Sequence, residues 1–192
     1  VIVVAAAGNV VQFVVWPAAY PQVIAVAATG PGDRAWSGSS KGTRVAVTAP
    51  GHRIVVADWH RGVAREWPGS GTSYATALVA SAAALWLARH GVHELRARYP
   101  GPALPQAFRA VLTATATRPL DPGPFPRAWF GSGLLDCEAL LRAPLPVLEE
   151  APAPARVPAS DELLAALLPL AYAHERRADA LEARAQARER SA

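Results

Sequence analysis

Gly71-Thr72-Ser73-Tyr74-Ala75-Thr76-Ala77-Leu78-Val79-Ala80-Ser81-Ala82-Ala83-Ala84-Leu85 runs from a glycine turn into an unbroken stretch of small and apolar residues. No charge interrupts it before Arg89, and Gly91 stands where a helix C-cap belongs, so the pattern predicts a helix over about 73–90. The apolar run from Tyr74 to Ala88 is shorter than the ~20 residues a membrane helix needs, so it reads as a core helix. Its small side chains let it pass through crowded surroundings. Ser73 falls in the first turn, beside unpaired backbone N–H groups and the positive end of the helix dipole, a setting that favours negative charge developing next to its hydroxyl. Taken alone, the same placement also fits an ordinary capping residue.

Upstream, Val1–Ala7 is a run of β-branched and small apolar residues, the pattern of a strand covered on both faces. Val23–Ala28 and Arg44–Thr48 repeat it, the latter ended by Ala49-Pro50-Gly51. Arg53–Ala57 and Val63–Trp67 read as shorter, hairpin-like strands, and Pro105–Thr115 and Leu134–Leu141 as further helices. Buried strands followed by helices predict an α/β domain with a mainly parallel sheet. Val3-Val4-Ala5-Ala6-Ala7-Gly8-Asn9 then gains a second meaning. It delivers an amide side chain to the carboxyl edge of a buried strand, where open α/β sheets bind ligands. An Asn there is an uncharged N–H donor suited to an oxyanion.

The chain has 192 residues, 52% of them apolar, enough for one sizeable core. It contains no Met and opens directly on Val1-Ile2-Val3-Val4, and we read it as part of something longer, with no signal peptide in view. The net charge of +4 is spread along the chain and not gathered into a basic stripe, which argues against a nucleic-acid partner. One cysteine, Cys137, excludes an internal disulfide and a cysteine-rich metal site; its apolar helical context predicts a buried, inert thiol. The organisation expected is a globular domain over 1–142, a Pro/Ala-rich linker over 143–159 and a helical or disordered tail over 160–192.

Several motifs in register now carry a resemblance. Val4-Ala5-Ala6-Ala7-Gly8-Asn9 and Trp16-Pro17-Ala18-Ala19-Tyr20-Pro21-Gln22-Val23-Ile24-Ala25-Val26-Ala27-Ala28 are similar to the oxyanion segment of the subtilisin-like serine proteases. Ala35-Trp36-Ser37, Val45-Ala46-Val47-Thr48-Ala49-Pro50-Gly51, Gly71-Thr72-Ser73 and Gly131-Ser132-Gly133-Leu134-Leu135-Asp136 follow in that family's order. The resemblance implies a three-layer subtilisin-like fold without its N-terminal part. It implies a serine endopeptidase in which Ser73 is the nucleophile and Asn9 the side-chain oxyanion donor, supported by Thr72 and Gly8. It also implies a cis Trp16-Pro17 bond, a protein or peptide substrate, a secreted or cell-envelope location, no required cofactor, and a structural calcium in the full-length protein.

The departures are specific. The family's aspartate and histidine motifs precede the oxyanion segment and are absent here, so both would come from upstream sequence and this fragment alone is expected to be inactive. His52, His60, His90, His93 and His174 stand in the wrong places for a triad base. Ala77 stands where proline is usual, and Ser81 where glycine is usual, adding bulk at a tight contact. Val15 falls where a small residue often floors the specificity pocket, which predicts a shallow one. Two alternatives remain open on sequence: a non-catalytic domain of this family used for binding or scaffolding, and an unrelated esterase. The latter would use Gly38-Ser39-Ser40-Lys41-Gly42, but a strand follows that motif where a helix is needed. No His, Cys, Asp and Glu spacing supports a catalytic metal.

Overall fold

The computed structural model describes residues 1–60, 62–119 and 126–148. Strands β1 (Val4–Ala6), β2 (Ile24–Thr29) and β3 (Val45–Pro50) form a parallel sheet in that order. Val4 pairs with Ile24, and Val26 with Val47, with an irregularity between Ala25 and Val26. Strands β4 (Ile54–His60) and β5 (Val63–Gly69) make a separate antiparallel hairpin. Five helices follow: α1 (Thr72–His90), α2 (Val92–Arg98), α3 (Ala103–Thr115), α4 (Pro126–Phe130) and α5 (Cys137–Arg142).

The α/β architecture and parallel sheet are those expected from sequence. β2 is buried along its whole length, as a strand covered on both faces must be. Ile24, Val26 and Ala28 face Ala75, Val79, Ala82 and Trp86 of α1, and Phe108, Val111 and Leu112 of α3 complete this core. On the opposite face Ala5 and Ala25 pack against Ala18, with Val14 and Val23 alongside. Arg109 of α3 donates hydrogen bonds to the carbonyls of Pro21 (3.0 Å) and Val23 (2.8 Å), fixing the approach to β2.

Several boundaries differ. β1 keeps only three of the seven residues expected, because pairing with β2 begins at Val4. β3 continues through Ala49-Pro50, since its last residues pair with Ala28 and Thr29. Gly91 does end α1, with φ 75°, but α2 starts at once after a bend of 86°. The last helix begins at Cys137, not Leu134: Leu134 bridges to both Thr48 and Thr117, and Asp136 caps α5 by accepting from Ala139 N at 2.8 Å. Cys137 is half-buried, less enclosed than its sequence context suggested. Ser81 is exposed and donates to Ala77 O (2.8 Å), so among the described residues it meets no tight contact. After α5 the chain stays on the body as far as Leu148, and the Tyr99 hydroxyl donates to Pro146 O at 2.6 Å. The tail expected over 160–192 lies outside the described residues.

Candidate active site

Three chain segments meet at the carboxyl end of the sheet. β1 leads into Gly8 and Asn9, the turn after β3 carries Gly51, and the loop after β5 delivers Gly71 and Thr72 to the head of α1. Two glycines permit this convergence. Gly71 N donates to Gly51 O at 2.7 Å, and a Cβ on Gly51 would sit 2.7 Å from Ala28 Cβ and 2.8 Å from Gly71 O. Only glycine at 51 lets the sheet edge and the helix head approach this closely.

Asn9 and Thr72 are locked together. Asn9 Oδ1 accepts from Thr72 N (2.9 Å) and from Thr72 Oγ1 (3.0 Å), while Thr72 Oγ1 itself accepts from Gly8 N at 3.2 Å. Thr72 is fully buried, so these bonds form away from competing water. With both acceptor directions of Oδ1 occupied, the carboxamide orientation is set and Nδ2 is left as a donor. No group among the described residues accepts from it.

Asn9 Nδ2 and Ser73 N both lie near one point beside Gly71. The position that a Cβ on Gly71 would occupy lies 3.5 Å from Asn9 Nδ2 and 3.8 Å from Ser73 N. Gly71 therefore keeps open a space bordered by two N–H donors at a helix N-terminus, a setting for an anionic oxygen. Ser73 is exposed, and among the described residues its hydroxyl has no hydrogen-bond partner. The side chain is thus available but unassisted.

The remaining expected positions also gather here. Gly8 has φ 110°, a backbone state suited to glycine, and a Cβ there would collide with Val15 Cγ2 and Ser40 Oγ, each 2.9 Å away. Val15 is buried and its N–H donates to Ala7 O at 2.9 Å, so its branched side chain fills the space against Gly8. The Trp16-Pro17 bond is cis, as the resemblance implied.

Among the described residues no histidine side chain bonds to Ser73. His52 Nδ1 lies 2.8 Å from Ser70 Oγ, and the ring stacks on Trp36 at 5.5 Å. His90 ends α1, about 27 Å along the helix from its start. His93 lies beyond it on α2. His174 is outside the described residues. The sequence reading missed two features: the double bond from Thr72 that orients Asn9, and the His52–Ser70 pair. The His52–Ser70 pair joins residues far apart in sequence, and only the hairpin brings them together. Among the described residues no three His, Cys, Asp or Glu side chains come together as a metal site. No single described helix is long and apolar enough to cross a membrane; α1 and α2 would suffice only as a pair, with the 86° bend between them.

A parallel α/β sheet with a carboxamide at its carboxyl edge and a serine at the head of the adjoining helix defines the class as that of serine-peptidase folds. The subtilase family (peptidase S8) matches residues 1–133, and the chain belongs to it. No curated protein matches the chain. Among solved structures, the prenylagaramide maturation protease PagA is 30% identical with a TM-score of 0.58, covering 73% of this chain and 50% of its own. Fervidolysin from Fervidobacterium pennivorans, a keratinolytic enzyme related to subtilisin, is 28% identical (TM-score 0.53; 76% of this chain, 23% of that one). MycP1 from Mycobacterium smegmatis is 25% identical (TM-score 0.57; 81% and 45%). The chain thus spans half or less of the length of each of these relatives.

Proposed function

We propose that this chain is the nucleophile-bearing part of a serine endopeptidase that cleaves peptide bonds through an acyl-enzyme on Ser73. The observation that carries the reading is the convergence of Asn9 Nδ2 and Ser73 N on the space beside Gly71. Ser73 Oγ attacks the scissile carbonyl, a histidine from outside the described residues takes its proton, and the carbonyl oxygen gathers negative charge between those two donors. The tetrahedral intermediate collapses, the proton passes to the leaving amine, and water then hydrolyses the ester. Thr72 acts through Asn9 by holding its carboxamide. Val15 makes the pocket beside Gly8 shallow, so substrates with a bulky aromatic residue at the cleavage position should be poor ones. The chemistry asks for no cofactor; a calcium, if the complete protein holds one, would serve structure. A location outside the cytoplasm is part of the same proposal.

The test is labelling by a fluorophosphonate. The protein expressed with its upstream coding sequence is expected to label at Ser73, and Ser73→Ala to remove the label. The isolated 192-residue chain is expected not to label, because an unassisted hydroxyl stays protonated at neutral pH. Absence of labelling in the longer protein would favour the second reading, a subtilase-like domain kept for binding.

A further inference from the structure

The carboxyl end of the sheet carries Ser73; the amino end carries charge. Where β3 begins, Arg118 and Arg127 stand at a cleft of about 780 Å³ that Thr43, Phe130 and Ser132 also line. Arg44 falls between two residues of its wall, Thr43 and Val45. Arg109 reaches the carbonyls of Pro21 and Val23 just before β2, and its pKa is lowered by burial and by the charge of Arg44 nearby. Positions 44, 109, 118 and 127 are scattered along the chain, so no basic cluster shows in the sequence, yet the fold gathers their guanidinium groups at one end of the sheet. Among the described residues no carboxylate pairs with any of the four. Arg44, Arg118 and Arg127 are exposed, and neither they nor the hydroxyls of Thr43 and Ser132 have a hydrogen-bond partner among those residues. The wall is well anchored. Gly42 N donates to Ala128 O (2.7 Å), Ser132 N to Ala46 O (2.9 Å) and Thr48 N to Gly133 O (2.9 Å), which pins α4 and the turn after it against β3.

We infer that this cleft binds a small organic polyanion, a molecule carrying two or more phosphate or carboxylate groups, held by Arg118 and Arg127. The inference is independent of the function proposed above, since the length of the sheet, about 20 Å over the six residues of β3, separates the cleft from the head of α1. A guanidinium offers paired N–H donors in one plane, which match two oxygens of a phosphate or a carboxylate. The Thr43 and Ser132 hydroxyls add donors between the charges. Like charges gathered at one end of a domain repel each other, and a bound anion relieves that repulsion. Size then selects among anions. Pockets for small organic ligands span roughly 300–1,000 Å³, and this cleft falls within that range. One inorganic phosphate engages a single fork, whereas a molecule with two anionic groups reaches both. A nucleic acid or a membrane asks for a broad basic face, and this is a concave patch.

The test is isothermal titration calorimetry on the protein expressed with its upstream coding sequence, with three probes: inorganic phosphate, citrate, and adenosine triphosphate without magnesium. Citrate or the nucleotide is expected to bind saturably at one site per chain, about tenfold more tightly than inorganic phosphate. The tighter of the two tells whether the cleft reads carboxylates or phosphates. Arg118→Gln and Arg127→Gln should each weaken that binding about tenfold. Arg34→Gln, an exposed arginine beyond the carboxyl end of β2, should leave it unchanged. Ser132→Ala, which removes one exposed hydroxyl and no charge, should weaken it measurably and carries the test if an arginine variant does not fold. The inference is overturned by the absence of saturable binding, by inorganic phosphate binding as tightly as the organic anions, or by an equal loss in Arg34→Gln. Tighter binding to duplex DNA or to phosphatidylglycerol vesicles than to either small molecule also overturns it. So does binding seen only in Asp121→Asn, because a carboxylate of the chain itself would then answer the two arginines.

Discussion

At the scale of single residues, the site depends on one buried threonine as much as on the residues that would touch substrate. Thr72→Val removes the hydroxyl that joins Gly8 N to Asn9 Oδ1, leaving Gly8 N unsatisfied and the carboxamide held by one bond. Thermal unfolding of the isolated chain should show a loss of about 1–3 kcal/mol, and Thr72→Ser should recover most of it. Asn9→Ala, in the longer protein, should lower kcat by ~10²–10³ with little change in KM. That magnitude is the one found for subtilisin, a member of this family. Ser73 and Asn9 stood out as candidates in the sequence because a glycine turn before a core helix and a Gly-Asn at a strand end are local patterns, and the family resemblance then gave them roles. Thr72 did not. Its partners stand more than sixty positions away, and a threonine at a helix start looks like any other cap.

At the scale of elements, α1 is the piece on which the rest is assembled, and its buried side should respond strongly to change. Trp86 is fully enclosed against Phe108, with ring centroids 5.4 Å apart. Trp86→Ala should cost about 3–5 kcal/mol in chemical denaturation, whereas Leu85→Ala, on the open face, should cost far less. The end of α1 adds a pH term. Burial, with help from Arg89, holds the His90 imidazolium below its ordinary pKa of 6.5. Its Nε2 is buried and among the described residues unpartnered. A lowered pKa in the folded state means that the unfolded chain binds the proton more readily. Stability from this group is therefore complete above pH 6.5 and is lost as the pH falls below it. The melting temperature of the wild-type chain should drop between pH 7.5 and 5.5 more than that of His90→Gln. Legibility at this scale was uneven. The terminating glycine at 91 was readable, but the sharp bend into α2 was not, because Val92–Arg98 has too few apolar positions to announce a helix on its own. Leu134 looked helical by its neighbours and instead ties β3 to Thr117 through two backbone bridges, a long-range demand that periodicity does not encode.

At the scale of the whole molecule, the parallel sheet is the one the sequence predicted, while the close approaches that join its edge to α1 were not legible in it. Gly51 is the instance. In sequence it is one more residue after a proline, yet a methyl group there would press on Ala28 and on the Gly71 carbonyl together. Gly51→Ala should destabilise the chain by roughly 1–3 kcal/mol and displace the head of α1, visible as altered amide shifts at Thr72 and Ser73. The same contact has a consequence for how this protein can vary. Because Gly71 N closes back on Gly51 O, the β4–β5 excursion leaves and re-enters the domain through a single gate. At the gate itself Gly69 leaves room for the Tyr74 ring, so the hairpin meets the helix head there and is free to vary only further out. Grafting a foreign hairpin onto positions 55–67, with Gly69 kept, should therefore alter what the domain meets while leaving the head of the helix undisturbed.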